Sequence, residues 1–172
     1  MSRFSQNCVS CAPEAWKLTL ILDNLRSAHN VGNILRLAEA LQLEVIGCGC
    51  TPMPPHPLLV KTAMECDKSV PCKSVSTAVE AIELVRSNGC RCVWALEHTA
   101  DSCEVWEVPE TVMPMALVLG NEAKGISPEA LALCDREVDL AMLGEKASIN
   151  VGNAAAAALY AIYARYKQQL KI

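Results

Sequence analysis

The sequence predicts a single α/β domain, a mostly parallel sheet with helices on both faces. Three observations carry this expectation. Segments patterned as strands alternate with segments of helical period along the whole chain. The strand segments, such as WKLTLILD (16–23) and MALVLG (115–120), are continuous apolar runs, as expected of strands buried on both faces. The 172 residues suffice for one domain with a sizeable core, and no repeat, low-complexity tract or linker divides them.

The elements follow in order. The strand 16–23 ends in polar turn residues. VGNILRLAEALQ (31–42) has apolar residues at 31, 34, 35, 37, 38 and 41, a helical stripe. EVIGCG (44–49) returns to strand; TPMPPHP (51–57) is a proline-rich loop, and LLVKTAMECDK (58–68) resumes helical period. STAVEAIELVRSNG (76–89) is the clearest helix, with Ser76 or Thr77 to cap it and Gly89 to stop it. CRCVWALE (90–97) and MALVLG are buried strands, while EHTADSCEVWEVPE (97–110), with five acids and no Lys or Arg, reads as a solvated surface loop. Pro128 suits the first turn of a short helix, PEALALC, and REVDLAM (136–142) is a last short strand. SINVGNAAAAALYAIYARY (148–166) is the final helix, with Ser148 as its N-cap and Asn150 in its first turn. Residues 1–15 read as an N-terminal extension.

Composition narrows the class. The chain is 52% apolar but only 4% aromatic, so its core is aliphatic. No apolar run reaches the roughly 18 residues that span a bilayer, and the first residues lack the apolar stretch of a secretory signal. A cytoplasmic protein with no membrane partner is expected. Net charge is −4, which argues against a general nucleic-acid binder, but residues 1–75 carry +1 and residues 76–172 carry −5, so a local basic site is compatible with the total. Several of the ten cysteines sit inside strand-like runs such as VIGCGC (45–50), where Cys serves as a small hydrophobe in a reduced interior. Cys8 and Cys11 have zinc-ligand spacing, yet no second pair completes four ligands.

Three polar clusters fall at predicted strand ends, where open α/β sheets gather ligands. In LDNLRSAHNVGNILR (22–36), Asn30 stands at a helix start where an N-cap is expected, Gly32 permits close approach of a chain or ligand, and Arg36 follows one to two turns on. A capped helix with an exposed arginine accounts for this pattern; so does a phosphate or ribose site made from helix N–H groups and a guanidinium. In LVLGNEAKGIS (117–127), two glycines flank a polar tip, implying a tight turn with exposed backbone donors around Glu122. The dinucleotide fingerprint and the P-loop are absent. In AMLGEKASINVGN (141–153), Gly144 and a polar tip precede Ser148 and Asn150.

Taken together and in order, these clusters resemble the SpoU/TrmH family of SPOUT RNA 2′-O-ribose methyltransferases. Asn30-x-Gly32-xxx-Arg36 is similar to the family's first motif, LGNEAKGIS to its second and LGEKASINV to its third, and VKTAMECDKSV (60–70) is similar to a KTALGAE-like segment between them. The resemblance spans roughly residues 17–166. It implies a sheet whose C-terminal segment forms a deep trefoil knot, a homodimer, and S-adenosyl-L-methionine as cofactor, released as S-adenosyl-L-homocysteine. By this resemblance Leu119, Gly120, Leu140, Met142, Ser148, Ile149 and Asn150 hold the cofactor. Glu122 and Asn150 order the catalytic centre, and Arg36, reaching across the dimer, meets the target ribose with Asn30 beside it. The implied substrate is RNA, transfer RNA before ribosomal RNA; the alternative is a knotted RNA-binding or assembly factor without catalysis. The sequence departs from the family at Leu140-Ala141-Met142, where Ile-Pro-Met is usual, and at Val151-Gly152-Asn153-Ala154, where Val-Ser-Val-Ala is usual.

The implied chemistry suits these residue types. Transfer from a sulfonium is an in-line displacement, so the demanding part is making a ribose hydroxyl nucleophilic near neutral pH. Guanidinium holds its proton above pH ~12 and is a poor literal base. Arg36 is therefore expected to stabilise developing alkoxide while a phosphate oxygen or water takes the proton. No metal is needed.

Overall fold

The computed structural model describes residues 15–146 and 148–171, so Cys8, Cys11 and nearly all of the expected N-terminal extension lie outside the described residues. In chain order the elements are β1 (Leu18–Asp23), α1 (Ala28–Leu41), β2 (Glu44–Cys48), α2 (Leu59–Thr62), α3 (Cys66–Ser69), β3 (Cys72–Val75), α4 (Ala78–Ser87), β4 (Cys92–Leu96), β5 (Cys103–Glu104), β6 (Met115–Leu119), α5 (Pro128–Leu131), β7 (Arg136–Asp139) and α6 (Val151–Gln169). The strands form one seven-stranded sheet in the order β3-β2-β1-β6-β4-β7-β5, with every pairing parallel.

The apolar runs explain the layering. Along β1, Leu18, Leu20 and Leu22 join one core cluster while Ile21 joins the other, on the opposite face. In β6, Met115, Leu117 and Leu119 face the first cluster, and Ala116 and Val118 the second. The apolar stripes of α1 and α6 (Ile34, Leu35, Ala155, Leu159) cover the first face, and Ala81, Ile82 and Ala130 of α4 and α5 cover the second. Leu20, Ile21 and Leu22 are fully buried, each stabilising the fold by about 1.5–3 kcal/mol. Ala155 and Ala158 are also fully buried in this chain's own core, so part of the alanine run of α6 packs internally.

Strands running outward from β1 go to β2 and β3 on one side, and to β6, β4, β7 and β5 on the other. The carboxyl ends of β1 and β6 thus flank the point where strand order reverses.

Four sequence expectations are corrected. The segment 58–68 is two short helices, because Met64 and Glu65 adopt positive φ (50° and 70°) and break the ladder. The segment CKSV makes edge strand β3, and the acidic loop contributes edge strand β5; neither has the apolar run of a central strand. The last strand stops at Asp139, releasing residues 140–142 from the sheet. The final helix begins at Val151, with Asn150 rather than Ser148 as its N-cap. Among the described residues no helix is long and apolar enough to cross a membrane.

The cysteines behave as small apolar residues. The eight described ones are free thiols, and burial pushes the Cys48 and Cys134 thiols up to about 12 and Cys72 up to about 11.

Candidate functional site

The site grows from the start of α1. Its N-cap is Ser27, whose hydroxyl accepts from the Asn30 N–H, so Asn30 lies inside the first turn and its side chain is free for other work. The anion at this helix entrance belongs to the protein itself. The Glu122 carboxylate, delivered by the turn after β6, accepts from the Arg26 N–H (3.0 Å), the Ser27 N–H (3.1 Å) and Asn30 Nδ2 (2.9 Å). Burial pushes this carboxyl up, but these hydrogen bonds, with a contribution from the backbone N–H of Glu122 itself, outweigh that effect and hold it below the usual carboxylate range.

Asn30 then passes the connection on. Its Oδ1 accepts from Asn150 Nδ2 at 3.0 Å, and Asn150 Oδ1 in turn caps α6 by accepting from the Gly152 and Asn153 N–H groups. Glu122, Asn30 and Asn150 therefore form one hydrogen-bonded chain across three segments 28 to 120 residues apart in sequence.

The turn that carries Glu122 is fixed from within. Asn121 and Gly125 exchange both backbone hydrogen bonds, and Asn121 Oδ1 accepts from the Ala123 and Lys124 N–H groups. The tip donors expected to be exposed are thus already engaged. Gly125 sits at φ +71°, and a Cβ there would press on the Glu97 carboxylate, which accepts from the Ile126 N–H at 2.9 Å. A Cβ on Gly120 would lie 2.9 Å from Gly125 Cα and closer still to the neighbouring backbone, so the two strands of the turn touch there.

Beside this chain lies a cavity of about 660 Å³ at the carboxyl ends of β4, β6 and β7. Leu119, Gly120, Glu122, Leu140, Met142, Ser148, Ile149 and Asn150 line it. Asn30 stands behind that wall, bonded to both Glu122 and Asn150. Arg36 is elsewhere: it is exposed on α1 and lines a second cavity of about 450 Å³ with Asn33, Cys66, Gly152 and Asn153. Gly32 permits an approach within the chain, against Thr62 of α2.

Several residues of the site escaped the sequence reading. Asp23, 2% exposed, closes β1 and accepts from both the N–H and the hydroxyl of Ser127 (2.7 and 2.6 Å), while Asn121 Nδ2 donates to the Asn24 carbonyl at 2.6 Å. These bonds tie the β1 and β6 ends together. Glu97 and His98 directly follow β4, and Asp139 ends β7, all three at the cavity. The available signal was a polar residue closing an apolar strand, visible at Asp23 and Glu97 but not at Asp139, which closes the largely polar REVD. Among the described residues no cluster of His, Cys, Asp and Glu is arranged to hold a metal.

A parallel sheet with a pocket over its strand ends, walled by three motif-bearing loops, defines an α/β ligand-binding domain. The chain belongs to the SpoU rRNA Methylase family, whose model matches residues 17–160. It is 28% identical over 152 residues to YacO of Bacillus subtilis, whose name places it with the TrmH family tRNA/rRNA methyltransferases, covering 84% of this chain and 57% of that protein. It is 26% identical to the Escherichia coli tRNA (guanosine(18)-2′-O)-methyltransferase, covering 92% of this chain and 68% of that one. The crystal structure of the SpoU methyltransferase AviRb from Streptomyces viridochromogenes in complex with AdoMet superposes with a TM-score of 0.77 at 27% identity, over 92% of this chain and 60% of that one. The chain thus spans little more than half the length of YacO.

Proposed function

We propose that the chain is an S-adenosyl-L-methionine-dependent RNA 2′-O-ribose methyltransferase, acting on transfer RNA as a cytoplasmic homodimer. The observation that carries this reading is the Glu122–Asn30–Asn150 chain at the wall of a 660 Å³ cavity. The volume lies within the roughly 300–1,000 Å³ of ordinary ligand pockets. Its lining fits a nucleoside cofactor: Leu119, Leu140 and Met142 offer an apolar bed, and the loops 119–121, 140–142 and 148–150 run their backbones along it. The names of the E. coli relative and of the AdoMet-bound AviRb structure support the substrate and cofactor classes.

When bound, the cofactor supplies an electrophilic methyl group. The chain's own residues do the rest. Glu122, ionised and engaged by three donors, is a poor proton acceptor and instead fixes the Asn30 amide. Asn30 in turn fixes Asn150, so that the cofactor loop and α6 start from one held position. Arg36, whose guanidinium has no hydrogen bond to another described residue, is read as completing the substrate side of a second copy's site, outside the cofactor pocket, and stabilising alkoxide on the target ribose. The passage of residues 140–146 and 148–150 beside the cavity is read as part of a deep trefoil knot.

Calorimetric titration with S-adenosyl-L-methionine tests the reading. Saturable binding is expected; a folded protein that does not bind would leave a non-catalytic RNA-binding or assembly role. Mapping 2′-O-methylation in cells with and without the gene then identifies the RNA, with ribosomal RNA as the competing outcome.

A further inference from the structure

The cavity has two polar ends. At the β6 end stand Glu122 and Asn150, whose side chains bond to the backbone and, through Asn30 behind the wall, to one another. At the β4/β7 end stands His98, whose Nδ1 lies 2.7 Å from Asp139 Oδ2. β4 and β7 are adjacent parallel strands, so their carboxyl ends bring these two residues together by register. Asp139 is itself held: the same Oδ2 accepts from Ser102 Oγ at 2.8 Å.

This arrangement sets the ring. An ionised carboxylate accepts only, so Nδ1 carries the proton, and Nε2 of the neutral ring is an acceptor. The His98 side chain is 65% exposed and Asp139 only 13%, so the carboxylate is the buried anchor and the ring the part offered to the cavity mouth. No described residue bonds Nε2.

We propose that His98, oriented by Asp139, is a specificity-determining contact for a ribose hydroxyl of the bound nucleoside cofactor. This rests on the methyltransferase reading above. The apolar bed of Leu119, Leu140 and Met142 takes the flat purine, which leaves the sugar hydroxyls for the open rim where His98 stands. A hydroxyl both donates and accepts, so it pairs with Nε2 whether the ring is neutral or protonated, as a donor-only ammonium or an acceptor-only carboxylate could not. His98 lies on the opposite side of the cavity from the Asn30 and Glu122 amide–carboxylate pair, so it serves the cofactor and not the hydroxyl being methylated. Asp139 acts through His98 as a positioning residue.

The test is calorimetry with S-adenosyl-L-homocysteine and its 2′-deoxy and 3′-deoxy analogues on the wild type, His98→Ala and His98→Gln, followed by methyl-transfer kinetics. One deoxy analogue should bind the wild type about tenfold more weakly, the loss of one hydrogen bond, and His98→Ala should bind the parent ligand about tenfold more weakly yet no longer distinguish that analogue. His98→Gln, whose amide can reach the Nε2 position, should recover part of the discrimination. In kinetics, His98→Ala should raise the cofactor KM and spare kcat. Equal analogue discrimination in wild type and His98→Ala would overturn the proposal while leaving the methyltransferase reading intact. So would a fall in kcat at saturating cofactor with Kd unchanged, which would make His98 a proton acceptor. A wild type that binds none of the three ligands would overturn both.

Discussion

The two cavities differ in how complete they are within one chain. The larger is closed by a hydrogen-bonded chain, Glu122 to Asn30 to Asn150, that engages the polar groups at one end. The smaller presents Arg36, Asn33 and Asn153 at an exposed helix face, with no hydrogen bond or ion pair to the arginine among the described residues. One region is preorganised, and the other displays charge without a partner. A catalyst that binds cofactor in one chain and assembles its substrate side only on dimerisation or RNA binding would divide its residues in this way, because donors fixed before reaction need no reorganisation during it. The division makes separable predictions.

Arg36→Ala should give the largest effect, lowering the rate of methyl transfer by roughly 10²–10³-fold, the usual loss when one transition-state donor is removed. Single-turnover assays with saturating RNA would check this, and near-normal rates would remove Arg36 from the chemistry. Gly120→Ala comes next. Its Cβ must displace the backbone of Gly125, 2.9 Å away at Cα, so the Glu122 turn shifts and cofactor affinity should fall by at least about tenfold. Calorimetry reads that directly.

Asn150→Ala should be milder. It removes the cap of α6, worth about 1 kcal/mol of stability, together with one bond to Asn30. Thermal melting measures the first effect and cofactor titration the second. The smallest effect is a pH slope. Because Glu122 is held below the usual carboxylate range, the folded state binds its proton less readily than the unfolded chain. Its contribution is full above the ordinary glutamate value of about 4.3 and is lost as pH falls through the lowered folded-state value. Melting temperature should decline across that acid window in the wild type, and Glu122→Gln should lack this part of the decline.

Much of the architecture was legible in the chain. The central strands announced themselves as apolar runs, and α1 and α4 as helical stripes, because burial on two faces or one leaves a direct pattern. Edge strands β3 and β5 did not, since an exposed edge needs no such run; strand order did not, since pairing is non-local. The cap residues were misplaced at both helices, by three residues at α1 and two at α6. Ser27 caps α1 and Asn150 caps α6, while Asn30 and Ser148 do not. Spacing could locate the amides but not reveal that Asn30 bonds Glu122, 92 residues away. The motif residues Glu122, Ser148 and Asn150, singled out through the family resemblance, line the cavity. His98 and Asp139 were missed because each looks ordinary alone, and only the β4–β7 register brings them together.

The central claim is that the cofactor pocket is complete in one chain and independent of Arg36. Calorimetric titration of S-adenosyl-L-methionine into Arg36→Ala and Glu122→Gln, side by side with the wild type, tests it most directly. The account predicts an unchanged Kd for Arg36→Ala and a weakened one for Glu122→Gln, which replaces one of the two acceptor oxygens by an NH₂ facing an N–H donor. Loss of binding in Arg36→Ala with binding retained in Glu122→Gln would contradict it.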